Sequence, residues 1–238
     1  MDADLTVLDD APALARHAAA WLLEKLDRPA RRTSAVCLSG GTTPRILYET
    51  LARTALPWKR IHWFWGDERF VPPGDARSNY RMVQEALLAR APIPHENIHA
   101  IPTGLDTAAA AAAAYEDELK RFYGASTLDP DRPLFDVTFL GVGEDGHTAS
   151  LFPGLPVLQE RSRWVAAVPD ALPEARVTLT YPVLESSREV AFLVTGAAKR
   201  AILEQILGGM SDAPAARLHP AGRLHWFADR AAAPRHAS

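Results

Sequence analysis

Phe135-Asp136-Val137-Thr138-Phe139-Leu140-Gly141-Val142-Gly143-Glu144-Asp145-Gly146-His147 is the stretch on which the reading of this chain turns. Its first six residues are rich in β-branched and aromatic side chains and stop at a glycine, which predicts a short strand. The strand runs directly into a turn carrying three glycines, two carboxylates and an imidazole. Loops that follow strands are where α/β proteins keep their chemistry.

Two other segments share this form. Thr33 to Leu38 is short and almost wholly apolar, as a strand covered on both faces of a parallel sheet must be. Ser39-Gly40-Gly41-Thr42-Thr43-Pro44 ends it and opens a helix through about Arg53. Ile61 to Trp65 predicts another strand, followed by an irregular segment, Gly66 to Ser78, and a helix from about Asn79 to Leu88.

Apolar residues recur along one side of a helix over Ala13 to Leu26, at Leu14, Ala18, Trp21, Leu22 and Leu26, and Arg28 to Arg32 links it to the next strand. Asp106 or Thr107 caps a helix through the alanine run Ala108 to Ala114 to Phe122, stopped at Gly124. Further strands are expected at Arg176 to Thr180 and Glu189 to Thr195, with a helix at Ala197 to Leu207. Strands alternating with helices imply an α/β fold: an open, mainly parallel, doubly wound sheet with helices on both faces and right-handed crossovers. One domain over residues 1–230 and a mobile tail over 231–238 are expected.

The chain has 238 residues, 47% hydrophobic and 23% charged, enough to bury one sizeable core. A net charge of −3 with scattered basic residues argues against nucleic acid as a partner. No apolar stretch approaches the roughly 20 residues that span a bilayer, and the start of the chain is acidic, so no membrane association and a cytoplasmic location are expected. Cys37 is the single cysteine, which excludes an internal disulfide and a zinc thiolate cluster and suits a small buried hydrophobe.

Ser39 to Thr43 joins a buried strand to a helix, so glycine permits close backbone approach while hydroxyls and N–H groups face an anion at the helix N-terminus. The segment lacks the lysine and spacing of a nucleoside-triphosphate loop, which suits a single phosphate on a small molecule. Gly141 to Gly146 matches the dinucleotide pattern G-x-G-x-x-G. Pro153-Gly154 follows too soon, however, for the long helix that a pyrophosphate rests on.

His147, with Asp145 two residues earlier, has the chemistry of an oriented general base. Of the other seven histidines, His95 and His99 have i, i+4 spacing but lack a third ligand, so neither a metal nor a cofactor is assigned. Asp67-Glu68-Arg69, with Arg77-Ser78-Asn79-Tyr80, brings charge to a further strand end, and Arg176 and Lys199 could each aim a cation at phosphate.

Three of these segments together resemble the 6-phosphogluconolactonase family: Leu38 to Pro44; Gly66-Asp67-Glu68-Arg69 with Ser78-Asn79-Tyr80; and Gly141 to Gly154. Pro173 with Arg176 and Gly196 with Lys199 are weaker marks. The resemblance implies the open α/β sheet shared with glucosamine-6-phosphate deaminase and ribose-5-phosphate isomerase. It also implies metal-independent opening of a sugar-phosphate lactone by a monomer or small homo-oligomer.

On that resemblance His147 is the base, Asp145 its support, and Arg69 or N–H groups of the 141–147 turn the oxyanion donors. Ser39, Gly40, Gly41, Thr42, Thr43, Asp67, Arg77, Asn79, Gly143, Arg176 and Lys199 would bind substrate and its phosphate, with Ser150 a weaker candidate nucleophile. Two alternatives are a deaminase and a non-catalytic sugar-phosphate sensor. The deaminase pattern carries glutamate where this chain has Phe152 and an aromatic residue where it has Arg69. A sensor would need a DNA-binding segment for which the chain has no spare length.

Overall fold

Burial on both faces, the condition set by the apolar runs, is met by a central parallel sheet. The computed structural model describes residues 4–27, 33–169, 171 and 173–235. In chain order the elements begin with β1 (Asp4–Leu8), α1 (Ala11–Leu26), β2 (Ser34–Leu38), α2 (Thr42–Leu51), β3 (Ile61–Trp65), β4 (Asp67–Arg69) and α3 (Asn79–Val83). They continue with β5 (Ile98–His99), α4 (Ala108–Tyr123), β6 (Phe135–Leu140), β7 (Val165–Val168), β8 (Arg176–Leu179) and α5 (Tyr181–Glu185). The chain closes with β9 (Ser187–Val194), α6 (Arg200–Leu207) and β10 (Arg223–Asp229).

Among the described residues, seven strands form the main sheet in the order β1-β10-β9-β6-β2-β3-β5. Every neighbouring pair in it is parallel. From β2 the chain builds outward through β3 to β5, and from β6 it builds the other way through β9 to β10. The order therefore reverses between β2 and β6, and a crevice opens at such a reversal beyond the carboxyl ends of the strands. The turns after β2 and β6 are the two glycine-rich segments.

The strands at this centre are the ones the sequence marks most clearly. All residues of β2 and β6 are buried, and Cys37 is a free, fully buried thiol. Asp10 caps α1 by accepting from the N–H of Ala13 at 2.7 Å. Thr107 caps α4 in the same way, and Gly124 ends that helix in the left-handed conformation.

The helix expected from Asn79 to Leu88 is present, α-helical to Val83 and π-helical over Gln84–Leu88. Three expectations need correction. Arg176 to Leu179 is not part of the main sheet: β8 is the centre of a separate antiparallel sheet, β4-β8-β7. Within the expected irregular segment, Asp67 to Arg69 forms the edge strand β4 of that sheet. Finally, Ala232 and Ala233 are buried in the core and the Ala232 N–H donates to Asp229 at 2.8 Å, so the packed chain extends into the expected tail. Residues 28–32 of the expected linker and 236–238 of that tail lie outside the described residues. No helix among those described is long and apolar enough to cross a membrane.

Candidate active site

The turns after β2, β3, β6 and β9 meet over the crevice, and the small sheet forms its remaining wall. A cavity of about 410 Å³ is enclosed there by Ser39, Gly40, Gly41, Asp67, Arg69, Asn79, Gly141, Val142, Gly143, His147, Ala149, Phe152, Arg176 and Lys199. That volume suits a small-molecule ligand. A larger cavity, about 830 Å³, lies between α4 and β7. Its Glu116 is committed to Lys120 and to the N–H groups of Trp164 and Val165. Size therefore does not locate the chemistry; convergent polar groups do.

His147 is held on three sides. Its Nδ1 lies 2.6 Å from Asp145 Oδ1, and its backbone N–H donates to the same oxygen at 3.1 Å. Burial opposes ionisation of Asp145, but these contacts outweigh it and hold the carboxyl below its ordinary value. An ionised carboxylate can only accept, so the proton belongs on Nδ1, leaving Nε2 with the free lone pair. Phe152 packs against the imidazole at 4.5 Å between ring centres, and Gly143 lies against its other side, where a Cβ would meet Nδ1 at 2.1 Å.

Three N–H groups of the turn are engaged within it. Gly143 donates to the His147 carbonyl at 2.8 Å, and Gly146 to the Gly143 carbonyl at 3.0 Å. With the His147 N–H given to Asp145, these three groups are not open to an oxyanion, which narrows the expected donors toward the arginines. Ala149 adopts a left-handed φ of 47°, a costly conformation for a residue with a side chain, directly on the cavity wall.

The three charges Asp67-Glu68-Arg69 divide into distinct contacts because a strand alternates its faces. Asp67, 6% exposed, accepts from Ser150 Oγ at 2.6 Å, and Asn79 Nδ2 donates to its carbonyl at 3.0 Å. Glu68 takes N–H donors from Arg69, Asn79 and Tyr80 and the Ser78 hydroxyl, fixing the start of α3. Burial nonetheless pushes its carboxyl above the ordinary value. Arg69 stands opposite Arg176 in register, and both line the cavity. Burial, with Arg69 alongside, lowers the Arg176 guanidinium below its ordinary value, and Asp67, Glu174 and Glu68 pull the other way.

On the opposite side Gly41 has φ 109°, and α2 begins without any side chain capping it, so its first N–H groups are open to an anion. Gly40 is required because a Cβ there would lie 1.9 Å from Asn79 Oδ1. The buried Ser39 Oγ, Arg69 Nε, Arg176 Nε and Thr148 Oγ1 have no protein partner.

Not every expected residue reaches the cavity. Thr43 Oγ1 is bonded to Thr195 Oγ1 at 2.6 Å, tying the β2 and β9 turns together, and neither Thr42 nor Thr43 lines the wall. Arg77 points away, to Asp75 and Glu174. Ser150 is fully buried and donates to Asp67, which leaves it unfit as a nucleophile. His99 is taken up by His62 and Glu118, at 2.9 and 2.8 Å. Among the described residues no group of three or more His, Cys, Asp or Glu is placed to hold a metal ion. Ala149 and Glu174 were not singled out from the sequence: nothing in an alanine announces a positive φ, and Glu174 matters only through the fold.

An open α/β sheet with an Asp–His pair and three cations around one cavity defines a protein that acts on a small anionic molecule at a strand-order reversal. Residues 9–226 match the sequence profile described as glucosamine-6-phosphate isomerases/6-phosphogluconolactonase, and the chain belongs to that family. It is 41% identical over 237 residues to the 6-phosphogluconolactonase of Nostoc sp., covering 98% of each chain. It is also 41% identical over 214 residues to that of Homo sapiens, covering 86% of this chain and 81% of the human one. The crystal structure of 6-phosphogluconolactonase from Thermotoga maritima superposes with a TM-score of 0.83 at 32% identity, over 96% of this chain and 100% of the other. A monomeric glucosamine-6-phosphate deaminase shares the fold, with a TM-score of 0.79 at 20% identity, over 96% and 98% of the two chains.

Proposed function

We propose that this chain hydrolyses 6-phospho-D-glucono-1,5-lactone to 6-phospho-D-gluconate, a step of the oxidative pentose phosphate pathway, with water activated by general base. The observation that carries the reading is the Asp145–His147 contact on the wall of a cavity whose other sides present Arg69, Arg176 and Lys199. The full-length similarity to proteins named 6-phosphogluconolactonase supports it.

His147 Nε2 takes a proton from a water molecule whose oxygen attacks C1 of the lactone. The C1 carbonyl becomes an oxyanion, met by an arginine of the β4–β8 pair. Collapse of the intermediate breaks the bond from C1 to the ring oxygen, and the imidazolium returns the proton to that oxygen. Asp145 stabilises the imidazolium in between. Ser39, the Gly40-Gly41 turn and Lys199 hold the phosphate, which positions the ester over Nε2. A lactone is an activated ester, so positioning and one base suffice. Deamination would need an acid–base group where Phe152 packs on His147, and a hydrocarbon ring moves no proton.

The test follows the disappearance of lactone freshly generated from glucose 6-phosphate, with wild-type protein, with His147→Gln and without protein. Hydrolysis well above the blank that falls by about 10²-fold in the variant, with KM little changed, is the expected result. No acceleration by wild type over the blank removes the reading.

A further inference from the structure

Arg77 is linked to both strand arginines of the cavity without lining it, to Arg69 directly and to Arg176 through Glu174. Its backbone carbonyl accepts from Arg69 Nη1. Its side chain, 54% exposed, donates through Nη1 to Glu174 Oε1 at 2.6 Å, while Nε and Nη2 engage the two oxygens of Asp75 at 2.9 and 2.8 Å. The second oxygen of Glu174 lies 3.6 Å from Arg176 Nη2, and the Glu174 side chain is only 9% exposed.

This is a competition for one carboxylate. Glu174 stands two residues before Arg176, close enough to pair with it fully, and arginine with carboxylate readily forms a two-point contact. Such a pair would neutralise a cation on the cavity wall and occupy the donors an incoming anion needs. Arg77 prevents it by taking one Glu174 oxygen at 2.6 Å while Asp75 anchors the rest of its guanidinium. Arg176 is left with a loose contact to Glu174, and its buried Nε has no protein partner.

We propose that Arg77 is a positioning residue: it holds the Glu174 carboxylate off Arg176 and so keeps that guanidinium available to the anionic substrate. The inference rests on the preceding reading only for the identity of that substrate. It assigns a function to a residue on the protein surface, and it predicts that deleting the competitor, Glu174, compensates for loss of Arg77.

The experiment is a double-substitution cycle of Arg77→Met, Glu174→Gln and both together. Equilibrium binding of 6-phosphogluconate is measured by calorimetry, with KM and kcat for the lactone alongside. Arg77→Met weakens 6-phosphogluconate binding and raises KM by roughly tenfold or more, the scale of one hydrogen bond to a charged group, with kcat changed far less. The double variant recovers binding to within about threefold of wild type, because the freed carboxylate no longer exists.

A mere loop clasp would give the opposite pattern, since the double variant lacks the clasp as completely as the single one. A double variant as weak as Arg77→Met, or an Arg77→Met that binds like wild type, overturns the inference. Wild-type protein that fails to bind 6-phosphogluconate also overturns it. Wild-type protein that binds the acid but does not hydrolyse the lactone removes the lactonase reading and leaves the binding cycle to decide the role of Arg77.

Discussion

Replacing Gly143 by alanine should disable the Asp145–His147 pair without touching either residue. A Cβ at position 143 would lie 2.1 Å from His147 Nδ1, 2.3 Å from its Cε1 and 2.4 Å from Asp145 Oδ1. Favourable contact between such heavy atoms begins at roughly 3.5 Å, so the ring or the turn must retreat by about 1 Å or more. The ring cannot simply slide, because Phe152 packs against it at 4.5 Å. Misplacement of a catalytic group by about 1 Å costs on the order of 10²-fold in rate, or roughly 2.7 kcal/mol of transition-state stabilisation. The assay is steady-state hydrolysis of freshly prepared lactone, with 6-phosphogluconate binding as the check that the phosphate side is intact. We expect kcat to fall by about 10²-fold while the acid still binds. A Gly143→Ala enzyme with kcat within about threefold of wild type would refute the argument, as would lost activity in a variant whose structure retains the 2.6 Å contact.

Three further outcomes are expected. The Asp145 carboxyl is held below its ordinary value, so its contact with His147 contributes above the unfolded value and is lost only as pH falls through the lower folded one. Asp145 therefore stays ionised throughout the pH range above that of an ordinary aspartate, and kcat/KM followed across that range should show no step from this carboxyl. A step there that Asp145→Asn abolishes is contrary. Ser150→Ala removes a donor from a buried carboxylate and should cost about 2 kcal/mol, or roughly 4–8 °C in Tm, while measurable turnover persists; complete loss of turnover in the folded variant would return Ser150 to contention as a nucleophile. Gly40→Ala forces a Cβ to within 1.9 Å of Asn79 Oδ1 and should raise KM by roughly tenfold with a smaller change in kcat, as read from saturation curves. An unchanged KM would show that the loop yields freely.

The sequence exposes the centre of this fold better than its edges, for a physical reason. The strands β2, β3 and β6 are short apolar runs because both faces of each are covered, and each ends where a functional turn begins. In contrast, β4 consists of three charged residues. Its strand character comes from backbone pairing with β8 and from buried partners for Asp67 and Glu68, neither of which composition reports. Likewise β1 and β5 are edge strands whose residues remain partly exposed, so no continuous apolar run marks them.

The site follows the same logic. Ser39 to Gly41 and Asp145 to His147 are contiguous motifs whose chemistry is local, and they are legible as such. Thr43 and Arg77 carry the right atoms for phosphate, yet Thr195 and Glu174, both distant in sequence, draw those atoms away. Sequence position can nominate a donor, but only the fold decides what it meets.

The placement of charge around the cavity is the strongest physical sign that it exists to receive an anion. Arg69 and Arg176 face one another across antiparallel strands, a pairing that repels. The nearby acids could relieve this, but each is held by something else. The Asp67 carboxylate is bonded to Ser150 Oγ at 2.6 Å and to Asn79 Nδ2 at 3.4 Å, Glu68 to the start of α3, and Asp75 and Glu174 to Arg77. Among the described residues no carboxylate forms an ion pair with Arg69, and the one near Arg176 stands at 3.6 Å. A half-buried pair of cations kept from its own counter-ions is unfavourable in the free protein, and that deficit is repaid only when an anion enters between them. In the proposed reaction the small antiparallel sheet, placed beside the crevice of the large one, would thus add positive charge where a carbonyl oxygen turns negative, while the large sheet would supply the base.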